Sequence, residues 1–197
     1  MIRSEFRPFI ILTIFMAIFV VASNYLVQFP FNFFGLENFL TYGAFSYPVT
    51  FLITDLSNRK YGKVITRKIV YIGFVLGISL TLLFSTNFTD IISLRIAVGS
   101  GLAFLTAQLL DVQIFHRLRK KIWFAAPFVS STIGSIVDTF LFFSISFYGT
   151  NLNWLTLAFG DLAVKIFMAL IMLIPFRMLM TIIGDSSRKY QAKAASL

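Results

Sequence analysis

Six long runs of apolar residues, separated by short polar or charged segments, dominate the pattern of this chain. Because a bilayer core about 30 Å thick requires roughly 20 mostly apolar residues per helix, each run predicts a transmembrane helix. The predicted fold is an all-α, polytopic membrane protein with six transmembrane helices in a single domain over residues 1–197. The predicted helices cover residues 8–29, 39–56, 64–84, 94–115, 127–148 and 155–183. Pro48 lacks a backbone N–H, so a kink is expected in the second helix.

The positions of the basic residues predict how these helices are oriented. Apart from Arg95 and Lys165, all of the 17 Lys and Arg lie toward a chain end, between helices two and three, or between helices four and five. These segments alternate along the chain and therefore fall on one side of the membrane. Since Lys and Arg collect in cytoplasmic loops, both termini are predicted to be cytoplasmic. The net charge of +9 records this orientation, and nucleic acid is not expected as a direct partner.

The composition narrows the possible function classes. Hydrophobic residues make up 58% of the chain and charged residues 13%, against roughly 45–50% and 25% in soluble domains. The chain has no Cys and a single His, so it lacks the residues for a disulfide framework or a Cys/His metal cluster. It also lacks a P-loop, a dinucleotide-binding fingerprint and a zinc-protease motif. We therefore expect no cofactor, no metal and no enzymatic activity, and energy for transport work must come from a gradient or another subunit.

The fifth predicted helix contains a single carboxylate, Asp138. It follows Pro127 by about 17 Å of helix, which puts it close to the midplane of the membrane. An ionisable side chain at that depth costs about 2.5–3.5 kcal/mol on insertion scales, so it needs a partner, a polar cavity or a function. Ser131 and Ser135 share its helix face, as does Phe142. This stripe either binds a polar solute or a proton, or it hydrogen-bonds to neighbouring helices as part of the packing.

The sixth predicted helix contains a second buried charge site. Asp161 and Lys165 are spaced i, i+4, so they can form an ion pair on one helix face and neutralise each other in lipid. One interpretation is a structural ion bridge. The other is a bridge that ligand binding or protonation opens, which would give the helix two states.

The outer half of the first helix offers two carboxamides. Asn24 and Gln28 lie one turn apart, and each provides donors and acceptors that suit either a heteroaromatic ligand or contacts between helices. Tyr47 lies, with other aromatic residues, at the outer boundary of the membrane, where such residues either form an aromatic belt or stack on a planar ligand.

Three polar residues near the cytoplasmic ends of helices two and four are candidate gate or anchor residues. They are Asp55, Gln108 and Asp111. Asp55 precedes Arg59, and Asp111 precedes Arg117, so salt bridges that anchor the helix ends are expected for the two carboxylates.

Five short strings occur in a fixed order along the chain. They are Ser23 to Gln28, Gly43 to Pro48, Thr54 to Leu56, Gln108 to Val112 and Ser135 to Thr139. Together they resemble the queuosine-precursor transporter family, also called the VUT family, from about Phe9 to Phe176. The resemblance implies a single transporter domain of six helices in the bacterial inner membrane. It also implies import of 7-cyano-7-deazaguanine and 7-aminomethyl-7-deazaguanine for salvage into the tRNA nucleoside queuosine.

The resemblance gives the polar residues a chemical context. A deazaguanine has N–H and amino donors on one edge, a carbonyl acceptor beside them and two flat faces that aromatic rings can stack on. We expect Asp138 to accept from the donors and Asn24 or Gln28 to meet the carbonyl. The candidate substrate-binding residues are Asn24, Gln28, Ser131, Ser135, Asp138, Asp161 and Lys165.

Two modes of transport are compatible with the sequence. The chain is a secondary transporter with a base-binding site at mid-membrane, or alternatively the substrate-binding membrane subunit of an ATP-driven vitamin-type uptake system. An intramembrane enzyme is disfavoured because the sequence has neither a catalytic Ser–His spacing nor a metal cluster. The expected partners are the deazapurine substrate and the lipid bilayer, and the sequence leaves open assembly into a homo-oligomer.

Overall fold

The computed structural model describes residues 3–33, 35, 37, 40–84 and 90–183, and its architecture is all-helical. The helices are α1 (Arg3–Leu26), α2 (Gly43–Ser46), α3 (Pro48–Tyr61), α4 (Lys63–Phe84), α5 (Ile91–Leu118), α6 (Ala125–Phe147) and α7 (Trp154–Ile183). Within these ranges the β-structure consists of an isolated bridge between Pro30 and Thr41. Five helices, α1 and α4 to α7, are long and apolar enough to cross a membrane. The prediction of an all-α protein with several apolar spans is therefore confirmed.

The second predicted helix, residues 39–56, requires a correction. Phe39 lies outside the described residues, and the remainder is divided into the short α2 and the 14-residue α3, which continues to Tyr61. The division occurs at Pro48, which has no N–H to donate to the preceding turn. The helix ends at Gly62, whose φ of 76° suits a residue without a Cβ and whose N–H bonds to the Asn58 carbonyl. Neither half is long enough to cross the membrane alone.

Helix α3 is buried inside the bundle although it carries many polar residues. It packs against α4, α5 and α7. Gln108 of α5 donates from Nε2 to Thr50 Oγ1 at 2.9 Å and accepts at Oε1 from Thr54. One helical turn further along, Asn58 Nδ2 donates to the Val112 carbonyl at 2.8 Å. These bonds satisfy polar groups that would be costly in an apolar interior, and they tie α3 to α5.

The bundle has one end rich in basic side chains, which we call the basic end. There Arg59 donates to the Arg119 carbonyl at 2.6 Å, and Arg119 donates to the Arg59 carbonyl at 3.0 Å. The C-terminal basic residues Arg188, Lys189 and Lys193 lie outside the described residues.

The opposite end carries acidic and polar groups. Asp90 caps the N-terminus of α5 and accepts from the N–H groups of Ser93 at 3.0 Å and Ile92 at 3.2 Å. Hydrogen bonds led by that from the Ser93 N–H lower the pKa of the Asp90 carboxyl.

Close packing of α1 on α4 depends on two glycines, Gly73 and Gly77 of α4. A Cβ atom at Gly77 would lie 2.7 Å from Cγ1 of Val20, and one at Gly73 would lie 2.5 Å from Cγ of Met16. Small residues spaced by four positions let helix backbones approach closely in membranes. The flexible Met16 side chain can move away from a larger residue at Gly73, whereas the β-branched Val20 is stiff, so the contact at Gly77 is the less adaptable of the two.

We predict that Gly77→Leu destabilises the protein, because the added side chain has no space between α4 and α1. Overpacking of this kind costs about 1–3 kcal/mol, and the melting temperature in detergent should fall. Ser79→Leu is the matched control, because Ser79 is exposed on the same helix and the same bulk would face lipid. An equal fall in both variants would contradict the packing argument.

Candidate functional site

Lys165 of α7 is the centre of a group of buried charges. Its Nζ lies 2.8 Å from Oδ2 of Asp138 on α6 and 2.5 Å from Oδ2 of Asp161, one turn earlier on α7. The side chain is 4% exposed. The predicted i, i+4 bridge between Asp161 and Lys165 is confirmed, and the packing of α6 on α7 adds Asp138 to it. We call these three residues the ion triad, and with all groups ionised it has one net negative charge.

Two hydroxyl groups hold the carboxylates of the ion triad in place. The Tyr47 hydroxyl donates to Oδ1 of Asp138 at 2.7 Å, and Thr139 Oγ1 donates to Oδ2 of Asp161 at 2.8 Å. The ammonium of Lys165 also lies 4.8 Å from the centroid of the Tyr47 ring, within the range of a cation–π contact. Of the two interpretations of Tyr47, the aromatic belt is excluded, because the residue is buried at the break between α2 and α3.

One oxygen of the ion triad is left without a partner. Oδ1 of Asp161 accepts no hydrogen bond from the described residues, whereas both oxygens of Asp138 already accept one. Asp161 lines a cavity, so this oxygen is available to a donor that enters it. A carboxylate oxygen in a dry site is a strong acceptor for such a donor.

The cavity beside the ion triad, which we call the central cavity, has a volume of about 30 Å³. That is room for little more than a water molecule, so the cavity is nearly closed in this conformation. Its wall combines the buried charges with hydroxyl, amide and aromatic groups. The lining residues are Ser23, Asn24, Val27, Gly43, Tyr47, Ser100, Asp138, Phe142, Asp161 and Lys165.

Two further cavities adjoin the central cavity. The larger one, about 680 Å³, lies at the end that carries Glu37 and Asp90, and we call it the vestibule. Val27 lines both the vestibule and the central cavity. On the other side, a small cavity of about 10 Å³ extends toward the basic end, and we call it the basic-side cavity. Lys165 lines both the central and the basic-side cavities, so its side chain lies between them.

The predicted substrate-binding residues are distributed over these three cavities. The central cavity contains Asn24 together with the whole ion triad. Nδ2 of Asn24 donates to Thr81 Oγ1 at 3.1 Å. Gln28 lines the vestibule instead, and its Nε2 donates to the Asn24 carbonyl at 3.3 Å. Ser131 and Ser135 line the basic-side cavity.

The three candidate gate or anchor residues have different environments. Gln108 anchors α3 through its two threonine contacts. Asp55 accepts from Ser131 at 3.1 Å, and Asp111 lies beside it. The expected salt bridges to Arg59 and Arg117 are wrong, because neither carboxylate forms an ion pair with a basic side chain in the described part of the chain.

The donor set does not resemble a metal centre. Among the residues that the structure describes, no three His, Asp or Glu side chains are grouped so that they could hold a metal ion. The ammonium of Lys165 occupies the position between the two carboxylates of the ion triad, where a cation would bind.

Comparison with known proteins identifies the family. A sequence model of the family described as "Putative vitamin uptake transporter" matches residues 41–180, more than two thirds of the chain. The chain belongs to this family. The match spans Tyr47 and the ion triad, whereas Asn24 precedes it.

Individual relatives agree with the family assignment. A protein of Haemophilus influenzae named "Probable queuosine precursor transporter" is 36% identical over 86% of this chain and 84% of its own length. The "Queuosine precursor transporter" of Escherichia coli K12 is 31% identical over 83% of this chain and 82% of its own length. No solved structure matches the chain. The resemblance inferred from the five strings is therefore confirmed, and the chain is a multi-pass bacterial membrane protein.

Sequence reasoning missed two members of the site, Tyr47 and Thr139. Both belong to strings that carry the family resemblance, Gly43 to Pro48 and Ser135 to Thr139. The position of Tyr47 directly before Pro48 was the available signal, since a helix break inside a membrane needs hydrogen-bonding partners from neighbouring helices.

We predict that Lys165→Met destabilises the protein by about 3–5 kcal/mol, because it leaves two buried carboxylates without a cation. The measurement is the melting temperature of the purified protein in detergent. Adding Asp161→Asn should recover part of the loss, because one of the unpaired charges is then removed.

The matched control for this prediction is Lys120→Met, since Lys120 is exposed at the basic end. Its melting temperature should equal that of the unaltered protein. A double variant less stable than Lys165→Met alone would contradict the charge argument.

Proposed function

We propose that this chain imports 7-deazaguanine precursors of queuosine across the bacterial inner membrane, and that the central cavity is the binding site. The observation that supports this most strongly is the buried ion triad, which lines a cavity together with hydroxyl, amide and aromatic groups and leaves one carboxylate oxygen unpartnered. The names of the two relatives supply the substrate class. The candidate ligands are 7-cyano-7-deazaguanine and 7-aminomethyl-7-deazaguanine.

In this proposal the base binds with its donor edge toward the carboxylates. The ring N–H and the exocyclic amino group donate to Oδ1 of Asp161 and to a remaining lone pair of Asp138. The side-chain amide of Asn24 meets the carbonyl on the same edge of the base. Phe142 and Tyr47 supply aromatic surface for the flat faces, as proteins do for unpaired bases.

Movement of the base follows the order of the cavities. It enters through the vestibule, passes Val27 into the central cavity and is stopped by the ion triad. A donor that binds Asp161 competes with Lys165 for the carboxylate, which weakens the bridge between α6 and α7. Opening of that bridge joins the central cavity to the basic-side cavity, and differential binding to the two states gives alternating access.

We further propose six membrane spans with both termini in the cytoplasm. The sixth span is the broken helix formed by α2 and α3 together, whose residues 43–61 extend about 28 Å along the axis. The concentration of Lys and Arg at the basic end supports a cytoplasmic location for that end.

Single-cysteine labelling tests the orientation, since the chain has no Cys of its own. In intact spheroplasts a membrane-impermeant maleimide should label Asn151→Cys, at the vestibule end, and should not label Lys120→Cys. Both positions are exposed, so both should label after the membrane is permeabilised. Labelling of Lys120→Cys in intact spheroplasts would reverse the proposed orientation.

We predict that Asp138→Asn and Asp161→Asn each reduce the affinity for the base by about 10- to 100-fold. Loss of a hydrogen bond to a charged group costs about 1.5–3 kcal/mol, which corresponds to that range. Uptake is measured in a strain that cannot make the precursor, supplied with the external base, as queuosine recovered in tRNA. Asp90→Asn is the matched control, because Asn caps a helix as well as Asp does.

The outcome that would reject the proposed function is recovery of queuosine in the same strain without this protein. Normal uptake by both triad variants at normal membrane abundance would reject the proposed site. Uptake by the purified chain alone in liposomes would establish a secondary transporter, whereas dependence on an ATP-hydrolysing module would establish the substrate-binding subunit.

A further inference from the structure

A second pair of buried carboxyl groups lies between the ion triad and the basic end. Asp55 of α3 is 2% exposed and Asp111 of α5 is 0% exposed. The two carboxyl groups lie close enough to interact directly. On the side of α6, Asp55 accepts from Ser130 at 3.3 Å and from Ser131 at 3.1 Å.

Asp111 is the member of this pair that lacks a hydrogen bond. Both of its carboxylate oxygens are buried, and no donor of the described residues is in hydrogen-bonding geometry with either, although the Ser130 hydroxyl that donates to Asp55 lies close by. A buried charged oxygen without a donor is costly, and native structures rarely retain one. Asp55 lies beside Asp111 and can donate to it only if Asp55 carries a proton.

Among the described residues, no basic group forms an ion pair with either carboxyl group. Lys165 lines the same cavity as Asp55, but its ammonium bonds to Asp138 and Asp161. The other titratable or basic side chains described on the helices packed around the pair form no ion pair with it either. They are Tyr25 of α1, Arg59, Lys60 and Tyr61 of α3, Lys63, Arg67, Lys68 and Tyr71 of α4, Arg95, His116 and Arg117 of α5, and Arg177 of α7. Two ionised carboxylates this close, without a cation between them, would repel each other strongly.

We propose that Asp55 and Asp111 hold one shared proton and are the proton-coupling site of this transporter. The inference rests on the proposed function of the chain. The carboxylic acid of one residue donates to the carboxylate of the other, so the orphaned oxygens of Asp111 gain a partner and only one negative charge stays buried. Pairs of this kind titrate as a unit.

The position of the pair connects it to the substrate site. Ser131 and Ser135, one turn apart on α6, line the basic-side cavity together with Asp55 and Lys165. This row of hydroxyls leads from the ion triad to the pair. When the ion triad opens, water in the basic-side cavity reaches Asp55 and accepts its proton on that side.

The proton balance of the cycle is simple. One proton enters from the vestibule side with the base, passes the ion triad along the hydroxyls of Ser135 and Ser131, and forms an O–H bond on the pair. The same proton leaves to water on the basic side as the base is released. The remaining carboxylates then repel each other, which disfavours the closed packing of α3 on α5 until a new proton arrives from the vestibule side.

The experiment uses the full chain reconstituted in liposomes with the labelled base. The membrane potential is clamped with valinomycin and equal K⁺, so only a pH gradient of one unit, acid outside, drives uptake. For one proton per base we expect about tenfold accumulation in the unaltered protein. Addition of base should also acidify a pH-sensitive dye inside the liposomes.

Asp111→Asn separates coupling from binding. The amide donates to Asp55 as the carboxylic acid would, so the fold and the exchange of internal for external base should be retained. Accumulation driven by the pH gradient should fall to about onefold. Asp55→Asn is the second variant and should behave in the same way, whereas the exposed control Lys120→Met should accumulate base about tenfold.

The opposing outcomes are distinct. Exchange of base without any response to the pH gradient in the unaltered protein would overturn this inference and leave the proposed function intact. Accumulation driven by a Na⁺ gradient in place of the pH gradient would overturn it in favour of a sodium site. Undiminished accumulation in Asp111→Asn or Asp55→Asn would also overturn it. Absence of any exchange by the unaltered protein would reject the proposed function itself and the coupling site with it.

Discussion

The burial of the Lys165 ammonium determines how the centre of this bundle is arranged. A lone cation at that depth would be expelled or neutralised, and it is retained because two carboxylates approach within hydrogen-bonding distance. One carboxylate comes from the same helix, and the other requires α6 to pack closely on α7. The carboxylates in turn need donors, and Tyr47 is placed by the helix break at Pro48. The charge, the packing and the break therefore depend on one another.

The polar side chains of helix α3 also need partners from neighbouring helices. It is the most polar of the longer helices, and it is surrounded by other helices instead of lipid. Its threonines bond to Gln108, and its Asn58 bonds to a backbone carbonyl of α5. In lipid these groups would lack partners, so the interior position follows from their chemistry.

The sequence predicts best what depends on neighbouring residues in the chain. The bounds of α1 and of α4 to α7 follow closely from hydrophobic length, because the thickness of the bilayer fixes that length. The bridge between Asp161 and Lys165 follows from helical spacing alone. The break at Pro48 follows from the sequence, but the bounds of the second helix do not, because the polar residues of α3 interrupt the apolar pattern. The expected pairing of Asp55 with Arg59 failed because that arginine reaches the carbonyl of Arg119.

Contacts that depend on tertiary packing could not be derived in this way. Asp138 is far from Tyr47 in sequence, and their bond exists only because α6 faces the break between α2 and α3. Gln28 shares a helix face with Asn24 by spacing, but the end of α1 carries it into the vestibule. The spacing of residues in the sequence shows which of them share a helix face. Which neighbouring helix that face contacts, and at what depth in the membrane, depends on how the helices pack.

Helix α3 contacts both the ion triad and the pair formed by Asp55 and Asp111. Tyr47 precedes the first residue of this helix and bonds to Asp138 of the ion triad, while Asp55 lies near its middle and contacts Asp111. A shift of α3 large enough to break one contact must strain the other, because the backbone hydrogen bonds of the helix keep their separation fixed. In the proposed mechanism, binding of the base and binding of the proton therefore bias the same rigid element. Coupling between two sites requires such a shared element, whose two positions each ligand distinguishes.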